Sequence, residues 1–236
     1  MKTIGFIGGM SWESSLEYYR IANETVKKKL GEPHSCKSIM YSVDFGEFEK
    51  LQHEGQWELL TEKMVDIAVK LENAGADFIV ICTNTMHKMA DEIQKRIKIP
   101  LLHIADATAE EIKKKKMGTV GLIGTRFTME EDFYKKRLKE KHGIDVLIPN
   151  KEDREIIHRI IFKELISGII KEGSRQQFQR IISNLKNEGA EGIILGCTEI
   201  PLLIKHRDTE ITVFDTTTIH ARKAVEISLE PHRWTE

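Results

Sequence analysis

Two cysteines carry the chemical interest of this chain. Cys82 opens the stretch Cys82-Thr83-Asn84-Thr85, and Cys197 opens Cys197-Thr198-Glu199. Each stands where an apolar run gives way to polar residues suited to starting a helix. A free thiol titrates near pH ~8.5 and a helix N-terminus draws it toward neutrality, so thiols placed this way suit general acid and base work near pH ~7. Inverting a carbon centre requires taking a proton from one face and returning one to the other. A thiolate and a thiol on opposite faces do this without moving, and reversing the reaction exchanges their roles. Cys36 has no comparable surroundings and reads as a structural residue. Three cysteines cannot all pair, and no CxxC motif is present.

The neighbours of the two thiols fit a small zwitterionic ligand. Hydroxyls, and in the first case an amide, lie beside each cysteine, and free N–H groups at a helix start bind a carboxylate well. Gly8-Gly9-Met10-Ser11-Trp12 and Gly124-Thr125-Arg126-Phe127-Thr128 are turns with the same capability, although plain helix capping would use the same residues. The Gly8-Gly9 run is neither GxGxxG nor a Walker loop, which argues against nucleotides. His87 follows Cys82 by a spacing ill suited to two metal ligands on one helix face, so no metal is expected. His103 reads as a core histidine within an apolar strand. Lys163 reads either as a solvated helix residue or as a charge for the cleft. A Cys-His nucleophile pair stays open, because such partners need not be close in sequence.

The elements that must position these residues alternate. Short apolar runs at 3–7, 38–42, 78–81, 101–104, 120–123, 145–148, 192–195 and 211–214 predict strands. Between them the apolar spacing changes to three and four, as in Leu60, Met64, Ile67, Ala68 and Leu71, or Ile156, Ile157, Ile160, Ile161 and Leu165. Strands alternating with helices predict βαβ units and parallel sheets. Lys113 to Lys116 read as the solvated last turn of a helix.

The chain also repeats itself. Thr3-Ile4-Gly5-Phe6-Ile7-Gly8 matches Thr119-Val120-Gly121-Leu122-Ile123-Gly124 at an offset of 116, Gly75-Ala76-Asp77 matches Gly189-Ala190-Glu191 at 114, and Cys82-Thr83 matches Cys197-Thr198 at 115. Asp106-Ala107-Thr108 and Asp215-Thr216-Thr217 follow at 109. The two halves are therefore related and the cysteines equivalent. Ligands of open parallel sheets bind beyond the carboxyl ends of the strands. Halves facing each other about a pseudo-twofold axis would bring the thiols to one cleft from opposite sides.

Composition narrows the partners. Of 236 residues, 40% are hydrophobic and 31% charged, an ordinary globular mixture. Lys plus Arg (36) nearly balances Asp plus Glu (37), leaving no basic surplus for nucleic acid. No apolar run approaches the ~20 residues that span a bilayer, and the opening residues run directly into a strand pattern. A cytoplasmic protein with no membrane partner is expected. Residues 231–236 read as a weakly anchored tail.

Ile4-Gly5-Phe6-Ile7-Gly8-Gly9-Met10-Ser11-Trp12-Glu13-Ser14, Cys82-Thr83-Asn84-Thr85-Met86-His87 and Gly196-Cys197-Thr198-Glu199-Ile200 closely resemble blocks of the aspartate/glutamate racemase family. Ser42-Val43-Asp44-Phe45, His103-Ile104-Ala105-Asp106-Ala107-Thr108 and Val213-Phe214-Asp215-Thr216 do so as well, so the resemblance runs through essentially the whole chain. It implies an α/β fold of two pseudo-symmetric Rossmann-like domains with parallel four-stranded sheets and an active site between them. The expected division is 1–98 plus 209–236 against 99–208. The resemblance further implies a homodimer and racemisation of an amino acid without pyridoxal phosphate or any other cofactor. Cys82 and Cys197 would be the proton donors and acceptors, and Met10, Gln52, Thr83, Asn84, Thr85, Thr198 and Lys163 the substrate contacts. Some relatives replace one cysteine with threonine; both are present here. Aspartate-specific relatives hold the side-chain carboxylate with basic residues, whereas Glu47, Phe48 and Glu49 occupy the corresponding region here, which leaves room for neutral amino acids and a broad specificity. Other readings are a related isomerase of a small acid (resembling maleate isomerase or hydantoin racemase), a non-catalytic two-lobed amino-acid binding protein and, third, a Cys-His hydrolase.

Overall fold

Each of the eight apolar runs becomes a parallel strand in the computed structural model, which describes residues 1–230. The order is β1 (Ile4–Gly8), α1 (Trp12–Leu30), β2 (Ser38–Ser42), α2 (Phe45–His53), α3 (Trp57–Asn73), β3 (Phe78–Ile81), α4 (Ala90–Gln94), β4 (Leu101–Leu102) and α5 (Ile104–Lys114). It continues with β5 (Thr119–Gly124), α6 (Arg126–Glu130), α7 (Asp132–His142), β6 (Asp145–Leu147), α8 (Lys151–Lys163), α9 (Glu172–Asn187), β7 (Gly192–Gly196), α10 (Ile200–Leu203), β8 (Thr212–Asp215) and α11 (Thr216–Leu229). Two four-stranded sheets result, ordered β2-β1-β3-β4 and β6-β5-β7-β8. The same order in both, read from the first strand of each half, is the repeat made structural.

Parallel strands covered by helices on both faces must be apolar throughout, and the inner strands β1, β3 and β7 are buried at every residue. The helix stripes supply the cover. Leu60, Met64, Ile67, Ala68 and Leu71 of α3 pack with Ile7, Ile79 and Ile81, while Ile157, Ile160 and Ile161 of α8 pack with Ile123, Ile193 and Leu195. Each such large side chain contributes roughly 1.5–3 kcal/mol. Equivalent carboxylates close equivalent strand ends. Asp77 Oδ2 accepts from Thr3 N–H, and Glu191 Oε2 accepts from Gly118 and Thr119 N–H.

The described residues divide into two compact units, Met1–His103 with residues 220–230, and Ile104–Ile219. This corrects the expected boundaries at 98 and 208. The chain changes unit after the fourth strand of each sheet, not before it. β4 pairs with β3, and β8 with β7. The helices that follow then join the other unit: Ile104, Ala105, Ala109 and Ile112 of α5 pack with Val120, Leu122 and Ile194. Ala221, Ala224 and Val225 of α11 pack with Ile4, Phe6 and Tyr18.

The strand expected at 101–104 is shorter than anticipated. Ile104 begins α5, and His103 lies between strand and helix, buried but outside the ladder. The tail at 231–236 lies outside the described residues.

Candidate active site

In the first unit, β3 delivers Cys82 at its carboxyl end. The Cys82 N–H donates to Ile7 O, the Ser14 hydroxyl of α1 donates to Cys82 O at 2.8 Å, and the thiol-bearing residue is 1% exposed. The chain then tightens into a short 3-10 turn, Thr85–Met89. His87 Nδ1 lies 2.7 Å from Thr83 O, pinning the turn to the residue after the cysteine. Behind it sits a buried ring cluster. The His87 ring meets His103 at 4.6 Å and His220 at 5.6 Å, and His220 Nδ1 lies 2.9 Å from the Tyr18 hydroxyl. Burial pushes the His220 imidazole down to about 4, only partly offset by its hydrogen bond to Leu102 O.

The adjoining strand β1 ends in Gly8 and Gly9. Gly9 has φ +94°, and a Cβ there would meet Val43 O at 2.3 Å, so the turn requires glycine. Gly9 N–H donates to Ser15 Oγ, and Ser11 caps α1 by accepting from Ser14 N–H. Met10, 5% exposed, packs in the cluster that also holds Phe48, Leu51 and Met86. Gln52, beside Leu51 on α2, is buried as well. Met10, Cys82, Thr83, Asn84 and Thr85 therefore share the carboxyl edge of two paired strands, β1 and β3.

The second unit repeats the arrangement. Thr125 caps α6 as Ser11 caps α1, with Thr128 N–H donating to Thr125 Oγ1. β7 delivers Cys197, whose backbone carbonyl accepts from Ile200 N–H to start α10. A Cβ on Gly124 would meet Gly196 O at 2.7 Å, so a bare backbone there lets β5 and β7 close up immediately before the cysteine. Thr198 is half-buried, and Lys163 is exposed at the last turn of α8.

The two thiols differ in their surroundings. Burial pushes both well above the ordinary thiol range, and for Cys82 burial is the whole cause. At Cys197 a carboxylate adds to it. The thiol donates to Glu199 Oε2 at 2.9 Å, and the Thr198 hydroxyl donates to the same oxygen at 2.8 Å. Backbone N–H groups of Thr198 and Glu199 pull the other way, toward thiolate. The sequence reading did not assign Glu199 a role; the signal was its position two residues after the cysteine at the start of a helix. Ser14 and the Tyr18–His220 pair were also missed, because their partners lie 68 and 202 residues away. Among the described residues no group of three or more His, Cys, Asp or Glu could hold a metal ion.

Comparison with known proteins follows the same outline. The model of the Asp/Glu/Hydantoin racemase family matches residues 7–224. The broad specificity amino-acid racemase RacX of Bacillus subtilis (strain 168) is 28% identical over 246 residues, covering 96% of this chain and 98% of the relative. Among solved structures, a Yersinia pestis protein provisionally described as an Asp/Glu racemase is 53% identical, with a TM-score of 0.92, covering 98% of this chain and all of that one. An aspartate racemase homologue from Pyrococcus horikoshii OT3 is 42% identical, with a TM-score of 0.85 and the same coverage.

Proposed function

Because this chain belongs to the Asp/Glu/Hydantoin racemase family, we propose that it is an amino-acid racemase, an isomerase that inverts Cα by a two-base mechanism with Cys82 and Cys197. The observation that carries the reading is the equivalent placement of two buried thiols. Each sits one residue beyond an inner strand, β3 or β7, in halves related by the repeat. One sulfur, as thiolate, takes the α-proton; the other, as thiol, returns a proton to the opposite face. The proton count is conserved, and the two cysteines exchange states in each turnover. Burial opposes charge on either thiol, so one of them gives up its proton to bulk water before the first turnover; the ammonium group of the bound amino acid, and at Cys197 the N–H groups of Thr198 and Glu199, favour the thiolate.

Met10, Gln52, Thr83, Asn84, Thr85 and Thr198 are the proposed substrate contacts, with N–H groups at the two helix starts for the carboxylate. Lys163, exposed at the last turn of α8, belongs to the same proposed set as a charge for the cleft. The Glu47–Glu49 segment supplies no cation for a second carboxylate: Phe48 is buried and Glu47 pairs with Lys63. Neutral side chains are therefore accepted alongside acidic ones, and no pyridoxal phosphate takes part.

The same reading includes a homodimer in the cytoplasm. Trp12, Leu16 and Tyr19 form an exposed apolar stripe on one face of α1, of the kind that covers a partner. No described helix is long and apolar enough to cross a membrane, and all three cysteines are free, as a reducing compartment keeps them.

The test is incubation of pyridoxal-free protein with single L-amino acids in deuterated water under reducing conditions, followed by measurement of chirality and α-deuterium. Both enantiomers are expected, with deuterium in the inverted product. Cys82→Ala and Cys197→Ala each abolish inversion while leaving exchange at one enantiomer. Full racemisation by both variants refutes the assignment.

A further inference from the structure

The block that begins at Cys82 ends in His87, a buried residue that no step of the proton transfer uses. Its backbone and its ring hold two successive carbonyls of one turn. In an α-helix the His87 N–H would donate to Thr83 O, four residues back. The 3-10 tightening at Thr85–Met89 redirects it to Asn84 O at 3.1 Å. Thr83 O loses that backbone partner, and the His87 ring replaces it, with Nδ1 2.7 Å away. A carbonyl only accepts, so Nδ1 carries the proton and donates. The ring is itself held: it packs against the rings of His103 and His220, and His220 is bonded in turn to Leu102 of β4 and Tyr18 of α1.

The two carbonyls belong to trans peptides, whose C=O and N–H groups point in opposite directions. Fixing Thr83 O and Asn84 O on the His87 side therefore turns the N–H groups of Asn84 and Thr85 to the other side. A hydrogen bond donated to a carbonyl also polarises its peptide, which strengthens the N–H of that peptide as a donor. The ring of His87 thus orients and reinforces amides at the start of the turn that follows Cys82.

We propose that His87 is a positioning residue for substrate binding: by holding both carbonyls it aims the Asn84 and Thr85 N–H groups at the carboxylate of the amino acid. Cys82 is secured by other means, since its N–H donates to Ile7 O and its carbonyl accepts from the Ser14 hydroxyl. Loss of the ring donor therefore disturbs carboxylate recognition and leaves the thiol in place. Both enantiomers present the same α-carboxylate, so both lose affinity alike.

The role in binding rests on the racemase reading, whereas the hold on the turn does not, and two measurements separate them. The first follows backbone amide hydrogen exchange by mass spectrometry in the parent, in His87→Leu, which removes the donor, and in His87→Asn, whose amide nitrogen replaces Nδ1. His87→Leu is expected to speed exchange across residues 83–89 at least about tenfold, with the segment around Cys197 unchanged and most of the protection recovered in His87→Asn. Unaltered exchange in His87→Leu overturns the inference whether or not the protein is a racemase. The second measures α-deuterium exchange from each enantiomer of the amino acid that the parent turns over fastest. His87→Leu is expected to raise KM at least about tenfold for both enantiomers, with kcat changed less than about threefold. His87→Asn is expected to bring KM back to within about threefold of the parent. A fall in kcat at constant KM, a rise in KM for one enantiomer alone, or equal losses in the Leu and Asn variants overturns the inference. Should His87→Leu fail to fold, as judged by circular dichroism, His87→Asn decides: KM within about threefold of the parent supports the positioning role, and a larger rise overturns it. Absence of exchange by the parent protein with every amino acid removes the racemase reading, and amide exchange alone then decides whether His87 holds the turn.

Discussion

His220 should make the first unit acid-sensitive in a calculable way. The residue is fully buried on α11, with Nε2 2.9 Å from Leu102 O and Nδ1 2.9 Å from the Tyr18 hydroxyl. A carbonyl only accepts, so Nε2 carries the proton and Nδ1 is the acceptor for Tyr18; the neutral ring satisfies both contacts. Burial holds its pKa at about 4 in the folded protein, against about 6.5 in an unfolded chain. A depressed histidine pKa means that the unfolded state takes up the proton first. The stabilising contribution is complete above the unfolded pKa, declines as pH falls through the window between about 6.5 and 4, and is gone below it. At about 1.36 kcal/mol per unit, the loss between about pH 7.5 and 4.5 is about 2–3 kcal/mol. Carboxylates held low by their partners, such as Asp106, release their contribution only below the ordinary carboxylate range. The assay is urea unfolding of the parent and His220→Gln at several pH values across that window. Near pH ~7.5 the variant is expected to be less stable by roughly 1–2 kcal/mol, the cost of a disturbed buried hydrogen bond. By pH ~4.5 the two should have converged or crossed. Stability curves that run parallel from neutral to acid pH would show that the ring does not titrate as the burial implies.

Further outcomes follow from other contacts. Gly124→Ala places a Cβ 2.7 Å from Gly196 O, so it should cost roughly 1–3 kcal/mol in unfolding experiments and lower kcat by displacing Cys197, with far-ultraviolet dichroism unchanged. Ser14→Ala removes the donor to Cys82 O and should cost roughly 0.5–1.5 kcal/mol, with a larger loss of exchange for the enantiomer served by Cys82 than for the other; equal losses would refute the positioning role. Asp106 accepts from Arg137, Lys141 and His142, and Asp106→Asn should destabilise the second unit by roughly 1–3 kcal/mol, read as a lower urea midpoint at neutral pH that shrinks toward parity in strong acid. Paired Trp12→Glu and Leu16→Glu substitutions should convert a dimer to monomer in sedimentation without altering the dichroism spectrum.

Much of this molecule was written locally. Strand cores such as Phe78–Ile81 are apolar throughout because both faces are covered, and the stripe from Leu60 to Leu71 has helical spacing because one face is buried. Both patterns are set by neighbours along the chain, so all eight strands and the equivalence of Cys82 with Cys197 could be read from residue order. Where the chain changes unit could not, because that depends on strand pairing: Leu101–Leu102 and Thr212–Asp215 each belong with the sheet that precedes them, and only the ladder reveals it. His103 looked like a strand residue because its neighbours are apolar, yet helix α5 starts one residue later and ends the strand early. The partners of the thiols were the least legible. Glu199 is two residues from Cys197, but sequence distance does not say that its carboxylate folds back onto sulfur. Ser14, Tyr18 and His220 reach Cys82 or the turn beside it only after β1, β3 and α11 have packed together. Residue types and spacing determine which groups can exchange a proton; which acceptor stands within reach of each sulfur is a property of the folded chain, since hydrogen bonds act over ångströms and the chain closes those gaps only in three dimensions.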